Sequence, residues 1–286
     1  MPSDAARPLP SDAARPLPSD AARPFPSDPA QPFRLAGRRA LVTAGSSGIG
    51  RATALALRAQ GAEVFITGTG ERTAEVAHEI DAAGHAIADF TQPGQAAAAA
   101  AQATDALGGL DILFANTGGP KPAAFESLTD ADWLAAYHLI LGSAIELTHA
   151  VLPVMAEAGR GRVIYLTSTA GVIRPLAGLH LSNVMRAGVA ALAASLVSEY
   201  GPRGITFNVI APGPIDTSRR RRIMGFQAEQ NGVEIDALEA EELAGIPLRR
   251  FGSPDEIGAL AVYLASEAAG FVTGRVHVLD GGLTAV

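Results

Sequence analysis

From Arg38 onward the chain alternates between two kinds of segment. Short β-branched or apolar runs recur: "RRALVTA", "AEVFITG", "GHAIADF", "LDILFAN", "GRVIYLTS", "GITFNVIAP" and "GRVHVLDGG". Alanine-rich helical stretches such as "GRATALALRAQG" and "AGVAALAASLVSEYG" lie between them. Such apolar runs read as strands buried on both faces. A strand–helix–strand repeat makes neighbouring strands parallel, because each crossover returns the chain to the same end of the sheet. The expected fold is one α/β domain, a doubly wound parallel sheet of about seven strands with helices on both faces.

Composition narrows the function. The 286-residue chain has no cysteine, which excludes disulfides, thiolate catalysis and Cys-ligated zinc, and no metal site is expected. A net charge of -7 argues against nucleic-acid binding. No apolar run is seen to reach the roughly 18 residues of a membrane helix, so no membrane partner is expected. The start, "MPSDAARPLP", has no basic or apolar stretch of a secretory signal, and a cytoplasmic location is expected. Residues 2–33 repeat an eight-residue unit: PSDAARPL, PSDAARPL, PSDAARPF, PSDPAQPF. Prolines at that density exclude a helix or central strand, and the unit has few apolar groups to bury. Residues 1–33 therefore read as a disordered, partly polyproline II tail, either a docking segment or a dispensable extension. Residues 34–286 read as the folded domain. Residues 217–250 break the alternation and read as a substrate lid.

In "ALVTAGSSGIGRA", Gly45, Gly48 and Gly50 lie between the first strand and the first helix. Glycines there let the backbone approach a pyrophosphate at a helix N-terminus. With this loop in place, the chain over residues 35–286 resembles the short-chain dehydrogenase/reductase family, whose loop reads Thr-Gly-x-x-x-Gly-x-Gly. Thr43, Gly48, Ile49 and Gly50 match; Ala44 replaces the first glycine, with Gly45 displaced by one and Ser47 inside the loop. The resemblance implies a Rossmann-like fold and a bound nicotinamide dinucleotide. It assigns Asp89 and Phe90 of "IADFTQP" to the adenine. It assigns Asn116, Thr117 and Gly118 of "FANTGGP" to the loop beside the cofactor, and Pro212, Gly213, Ile215 and Thr217 of "NVIAPGPIDT" to the nicotinamide end. The C-terminal segment from "IPLRRFGSPDEIG" to "VLDGG" looks like that of 3-oxoacyl-carrier-protein-reductase-like members.

Selectivity for NAD usually needs a carboxylate near the end of the second strand. That strand ends "VFITGTGER": Thr67, Gly68 and Thr69 carry none, and Glu71 comes late. NADP(H) is therefore favoured over NAD(H), with Arg51, Arg72 or the small hydroxyls to receive the 2′-phosphate.

The family's chemistry passes a hydride between nicotinamide and a carbonyl carbon. A tyrosine supplies the proton, a lysine four residues on supports it, a serine polarises the carbonyl, and an asparagine holds a relay water. The resemblance places Ser168 at the serine, Ser182 at the tyrosine, Arg186 at the lysine and Ile140 at the asparagine. Arg186 can hold ribose hydroxyls and keep a positive field, but it is a poor proton source. The proton donor stays open among His180, a water, Lys121, Tyr137 and His138; His180 sits at the helix start with a suitable ordinary pKa. The run Arg219–Arg222 reads as a solvated basic turn or as a contact for a substrate phosphate or carboxylate. The expected function is an NADP(H)-dependent oxidoreductase for a small carbonyl substrate, thioester-linked or free, with an altered set of catalytic residues. The alternatives are a non-catalytic NAD(P)-binding sensor or partner subunit, and a dehydratase or isomerase on the same scaffold. A homodimer or homotetramer paired through the two long helices beside the site is implied by the resemblance.

Overall fold

The computed structural model describes residues 30–285; residues 1–29 of the repeat and Val286 lie outside the described residues. The expected strands are present: β1 (Arg39–Val42), β2 (Glu63–Gly68), β3 (Gly84–Ile87), β4 (Ile112–Ala115), β5 (Gly161–Leu166), β6 (Ile205–Pro212) and β7 (Arg275–Leu279). They lie in the order β3-β2-β1-β4-β5-β6-β7, with every neighbouring pair parallel. In the first half of the chain the helices are α1 (Gly48–Ala59), α2 (Arg72–Glu79), α3 (Gln95–Leu107), α4 (Asp130–Ala136) and α5 (Ser143–Glu157). There follow the short α6 (Thr169–Val172), α7 (His180–Ser195), the short α8 (Val197–Tyr200), α9 (Ser218–Asn231), α10 (Ile235–Gly245) and α11 (Pro254–Ala265).

Period-two alternation divides the core between the two faces of the sheet. Leu41, Leu113, Tyr165 and Val209 face α3, α5 and α7, while Val42, Phe114, Ile164 and Ile210 face α1, α2 and α11. Two helical stretches, Asp130–Glu157 and His180–Arg203, are long and apolar enough by length and composition to cross a membrane, which corrects the expectation of no such run. Here their apolar residues meet the sheet: Leu147, Val151 and Met155 from the first, Leu181, Met185 and Val189 from the second. A π turn over Tyr137–Gly142 joins α4 to α5. Its wide spacing frees backbone carbonyls, and the Ser143 hydroxyl donates to two of them, Leu139 at 2.7 Å and Ile140 at 3.1 Å.

The chain reverses direction across the sheet between β1 and β4, and a crevice opens there beyond the carboxyl ends of the strands. At the opposite end, buried Asp111 accepts hydrogen bonds from Arg39 (2.9 Å) and Arg160 (2.6 Å) and closes the bottom of β4. Two capping devices fix helix starts near the crevice: the box of Ser253 with Glu256 at α11, and the Thr217 hydroxyl accepting from Arg220 N at α9.

Candidate functional site

The glycine loop works through close approach. A side chain on Gly50 would fall on the carbonyl of Ala44, so only glycine lets α1 begin hard against the loop. A side chain on Gly45 would strike Ile66 of β2. Gly48 takes φ +50, opposite the Thr217 methyl. Ala44 itself adopts φ 46, the left-handed region that glycine tolerates and alanine does not. Thr43 is buried: its hydroxyl donates to the Asn116 carbonyl at 2.6 Å and accepts from the Asn116 amide at 2.8 Å, locking β1 to β4.

Above this loop lies a cleft of about 370 Å³. Ser47, Gly48 and Ile49 line it at the helix start, Phe90 at one end, and Asn116, Thr117, Gly118 and Thr217 at the other. Around the end of β2 the lining is Thr67, Gly68, Thr69 and Ser46, all hydroxyl or glycine. Thr43, Gly45 and Gly50 shape the cleft from behind rather than line it. Asp89 turns to its own loop, accepting from the Thr91 amide at 3.0 Å and the Thr91 hydroxyl at 2.8 Å. Arg51 pairs with Glu79 at 3.2 Å, so its charge is committed elsewhere. The glycine cradle, the α1 N-terminus and the Phe90 wall fit an extended dinucleotide with its diphosphate at Gly48–Ile49.

A second cleft, of about 390 Å³, adjoins the first, and Ile49, Asn116, Thr117, Thr217 and Arg219 line both. Ser168, Ser182, Arg186, Pro212, Gly213 and Ile215 all line it, so the structure brings these predicted residues together. Ser168 lies two residues beyond β5 and caps the short α6, its oxygen accepting from Ala170 N at 3.2 Å. Ser182 and Arg186 stand one turn apart on α7, and Arg186 Nε donates to Ser182 Oγ at 3.1 Å. Arg186 is only 6% exposed. Its Nη1 donates to the carbonyls of Leu166 and Thr167, each at 3.1 Å, and its Nη2 to that of Gly118 at 3.4 Å. Burial and the neighbouring Arg219 charge lower its pKa to about 10, which leaves it a cation at neutral pH.

The expected proton donors do not gather here. His180 begins α7, but its ring packs edge-on against Phe125 at 5.6 Å and lines neither cleft. The structure thus places it beside the clefts rather than in their lining. Lys121 pairs with Asp132 at 2.7 Å. Tyr137 and His138 pack against each other, ring centroids 5.2 Å apart, and also line neither cleft. Ile140 is buried behind the site, against Ala144 and Leu147.

Residues 217–250 form α9 and α10, which cover the second cleft. The arginine run divides by helical face. Arg219 and Arg222 face the cofactor cleft, and Arg219 reaches Gly119, its guanidinium occupying the space where a side chain on that residue would begin. Arg220 is buried and points toward α10. It bridges Glu239 at 3.3 Å and Glu242 at 3.2 Å, with Phe251 at 3.6 Å beneath it. Arg221 pairs with Asp216 at 3.3 Å. Arg221 and Arg222 are both exposed, as the solvated-turn reading expects, whereas Arg219 is half-buried and Arg220 buried. The spacing of 219 and 222 was the available signal for the others. Arg174, on the cleft rim, had no signal in the sequence.

A family model described as Enoyl-(Acyl carrier protein) reductase matches residues 43–284. The chain belongs to the short-chain dehydrogenase/reductase family. It is 38% identical over 257 residues to an uncharacterized oxidoreductase of Mycobacterium tuberculosis, covering 88% of this chain and 94% of that one. It is 35% identical over 260 residues to a D-beta-hydroxybutyrate dehydrogenase of Cupriavidus necator, covering 88% and 99%. The solved structure of a levodione reductase superposes with TM-score 0.83 at 30% identity, covering 88% of this chain and all of that one (100%). The family's members are NAD(P)-dependent oxidoreductases of small molecules, and this short-chain dehydrogenase/reductase shares their seven-stranded parallel fold.

Proposed function

We propose that the chain is an NADP(H)-dependent oxidoreductase that interconverts a carbonyl compound and its alcohol without an ionisable side chain as acid. One observation carries this reading: Ser168, Ser182 and Arg186 line a cleft that opens directly into the glycine-loop cleft. The relatives are named as a dehydrogenase and a reductase, the two directions of one hydride transfer. When bound, the nicotinamide supplies the hydride for the carbonyl carbon. Ser168 and Ser182 donate hydrogen bonds to the carbonyl oxygen, where negative charge builds. Arg186 holds Ser182 from behind, so the serine hydrogen points into the cleft, and its charge stabilises the developing alkoxide. Water in the open cleft gives the alkoxide its proton and leaves as hydroxide. The end of β2, lined by hydroxyls and glycine with no carboxylate, favours the extra phosphate of NADP(H).

The test is direct. NADPH and NADH are titrated by fluorescence, and cofactor oxidation is followed with ketones, oxo acids and 3-oxoacyl thioesters. The expected result is tighter NADPH binding, and turnover that Ser168→Ala lowers about a hundredfold in kcat/KM without weakening NADPH. Tight NADPH binding with no turnover of any carbonyl would shift the reading to a cofactor-binding sensor. That second reading has its own support: the one carboxylate lining the catalytic cleft, Glu242, is committed to Arg220. A pair of chains joined through α5 and α7 is also proposed, with exposed Ile145 and Val184 in the joint. A monomer mass by light scattering would refute it.

A further inference from the structure

The cleft in front of Ser168 and Ser182 carries an uneven charge. Arg174, Arg186, Arg219 and Arg220 line it against a single carboxylate, Glu242. Arg220 and Glu242 neutralise each other. Among the described residues, Arg174, Arg186 and Arg219 form no ion pair, in a chain whose net charge is -7. Arg186 is buried on neutral backbone carbonyls. Arg219 is half-buried against Gly119 and makes no hydrogen bond among the described residues. Burial, together with the charge of Arg222, lowers the pKa of Arg219, the signature of a guanidinium without its counter-ion. Desolvating a cation without an anion is costly, and a binding partner that supplies the anion recovers that cost. The planar guanidinium fork matches an oxyanion, and a carboxylate most simply. Leu176, Leu179, Ile223 and Met224 add apolar walls on the same cleft, suited to a short carbon chain.

We propose that this cleft takes an organic anion, a carbonyl compound or its alcohol bearing a carboxylate. The carboxylate sits at Arg219 and Arg174, and the reacting carbon faces Ser168 and Ser182. This deepens the oxidoreductase reading and rests on it for the reacting carbon, while the anion site is testable without turnover. Arg219 also borders the glycine-loop cleft, so the competing source of negative charge is the cofactor's diphosphate.

The experiment measures dissociation constants calorimetrically for a panel of short oxo acids and their methyl esters, with and without NADPH. The expected result is that at least one acid binds about tenfold or more tightly than its ester. Arg219→Met removes that preference, Arg219→Lys restores part of it, and Arg174→Met reduces it. NADPH affinity is unchanged in all three. Gly119→Ala, which displaces the Arg219 guanidinium, weakens the acid without affecting the ester. Acids and esters that bind alike in the wild type overturn the proposal, as does a panel in which nothing binds. An Arg219→Met variant that loses NADPH but keeps the acid preference overturns it too, and assigns Arg219 to the diphosphate. Acid preference without cofactor oxidation would leave the anion site standing and remove the oxidoreductase reading; oxidation with neutral ketones alone would do the reverse.

Discussion

At the scale of single residues, the loop shows how one substitution redistributes strain. Ala44 stands where the resemblance expects glycine, and it keeps the left-handed backbone that glycine would adopt freely. The Cβ makes that conformation costly by about 1 kcal/mol. Ala44→Gly is therefore expected to raise stability by about 1 kcal/mol, seen as a higher urea midpoint at unchanged slope. A lower midpoint would mean that the alanine methyl packs usefully in the folded state. Arg186 illustrates the opposite case. Its residue type was plain in the sequence, but its bonds to Leu166, Thr167 and Gly118 were not, because those carbonyls converge only when β4, β5 and α7 meet.

At the scale of elements, the position of α10 depends on one side chain. No residue of α10 is buried, so the helix has little apolar packing to hold it. Arg220 supplies the bond to Glu239 and Glu242 instead. Arg220→Met is expected to speed amide exchange across Ile235–Gly245 about tenfold, leaving β4 and β5 protected, because the loss is local. Unchanged exchange there would show that other contacts hold α10. The element pattern itself was legible: alternating apolar runs fixed all seven strands. Helices α9 and α10 were not, since they lack an apolar stripe and read as an irregular insertion.

At the scale of the molecule, the sheet has a sealed end and an open end. The sealed end is held by Asp111, buried between Arg39 and Arg160. Burial alone would raise its pKa, but the two arginines outweigh it and the net shift is downward. A carboxylate with a lowered folded pKa stabilises the protein above the ordinary carboxylate pKa, and that stability is lost as pH falls through the folded value. Asp111→Asn is expected to cost about 3 kcal/mol at neutral pH. The gap between wild type and variant, measured by thermal unfolding, should close as pH falls below about 4. A gap independent of pH would assign the loss to packing rather than charge.

The sequence by itself determined the parallel sheet, the glycine loop and the positions of Ser168, Ser182 and Arg186. The sheet and the loop follow from periodicity and local spacing, which act over a few residues; the places of the three side chains are what the family resemblance implies. Tertiary structure alone decided which charged groups are free to act. His180, Lys121, Arg51 and Arg220 looked available in one dimension, and each meets a partner from another element or loop: Phe125, Asp132, Glu79 and Glu242. Among the described residues, Arg174, Arg186 and Arg219 remain without a carboxylate because the fold brings them together on a face that carries no free acid. Charge pairing depends on distances of a few ångströms between elements far apart in the chain, and only packing sets those distances.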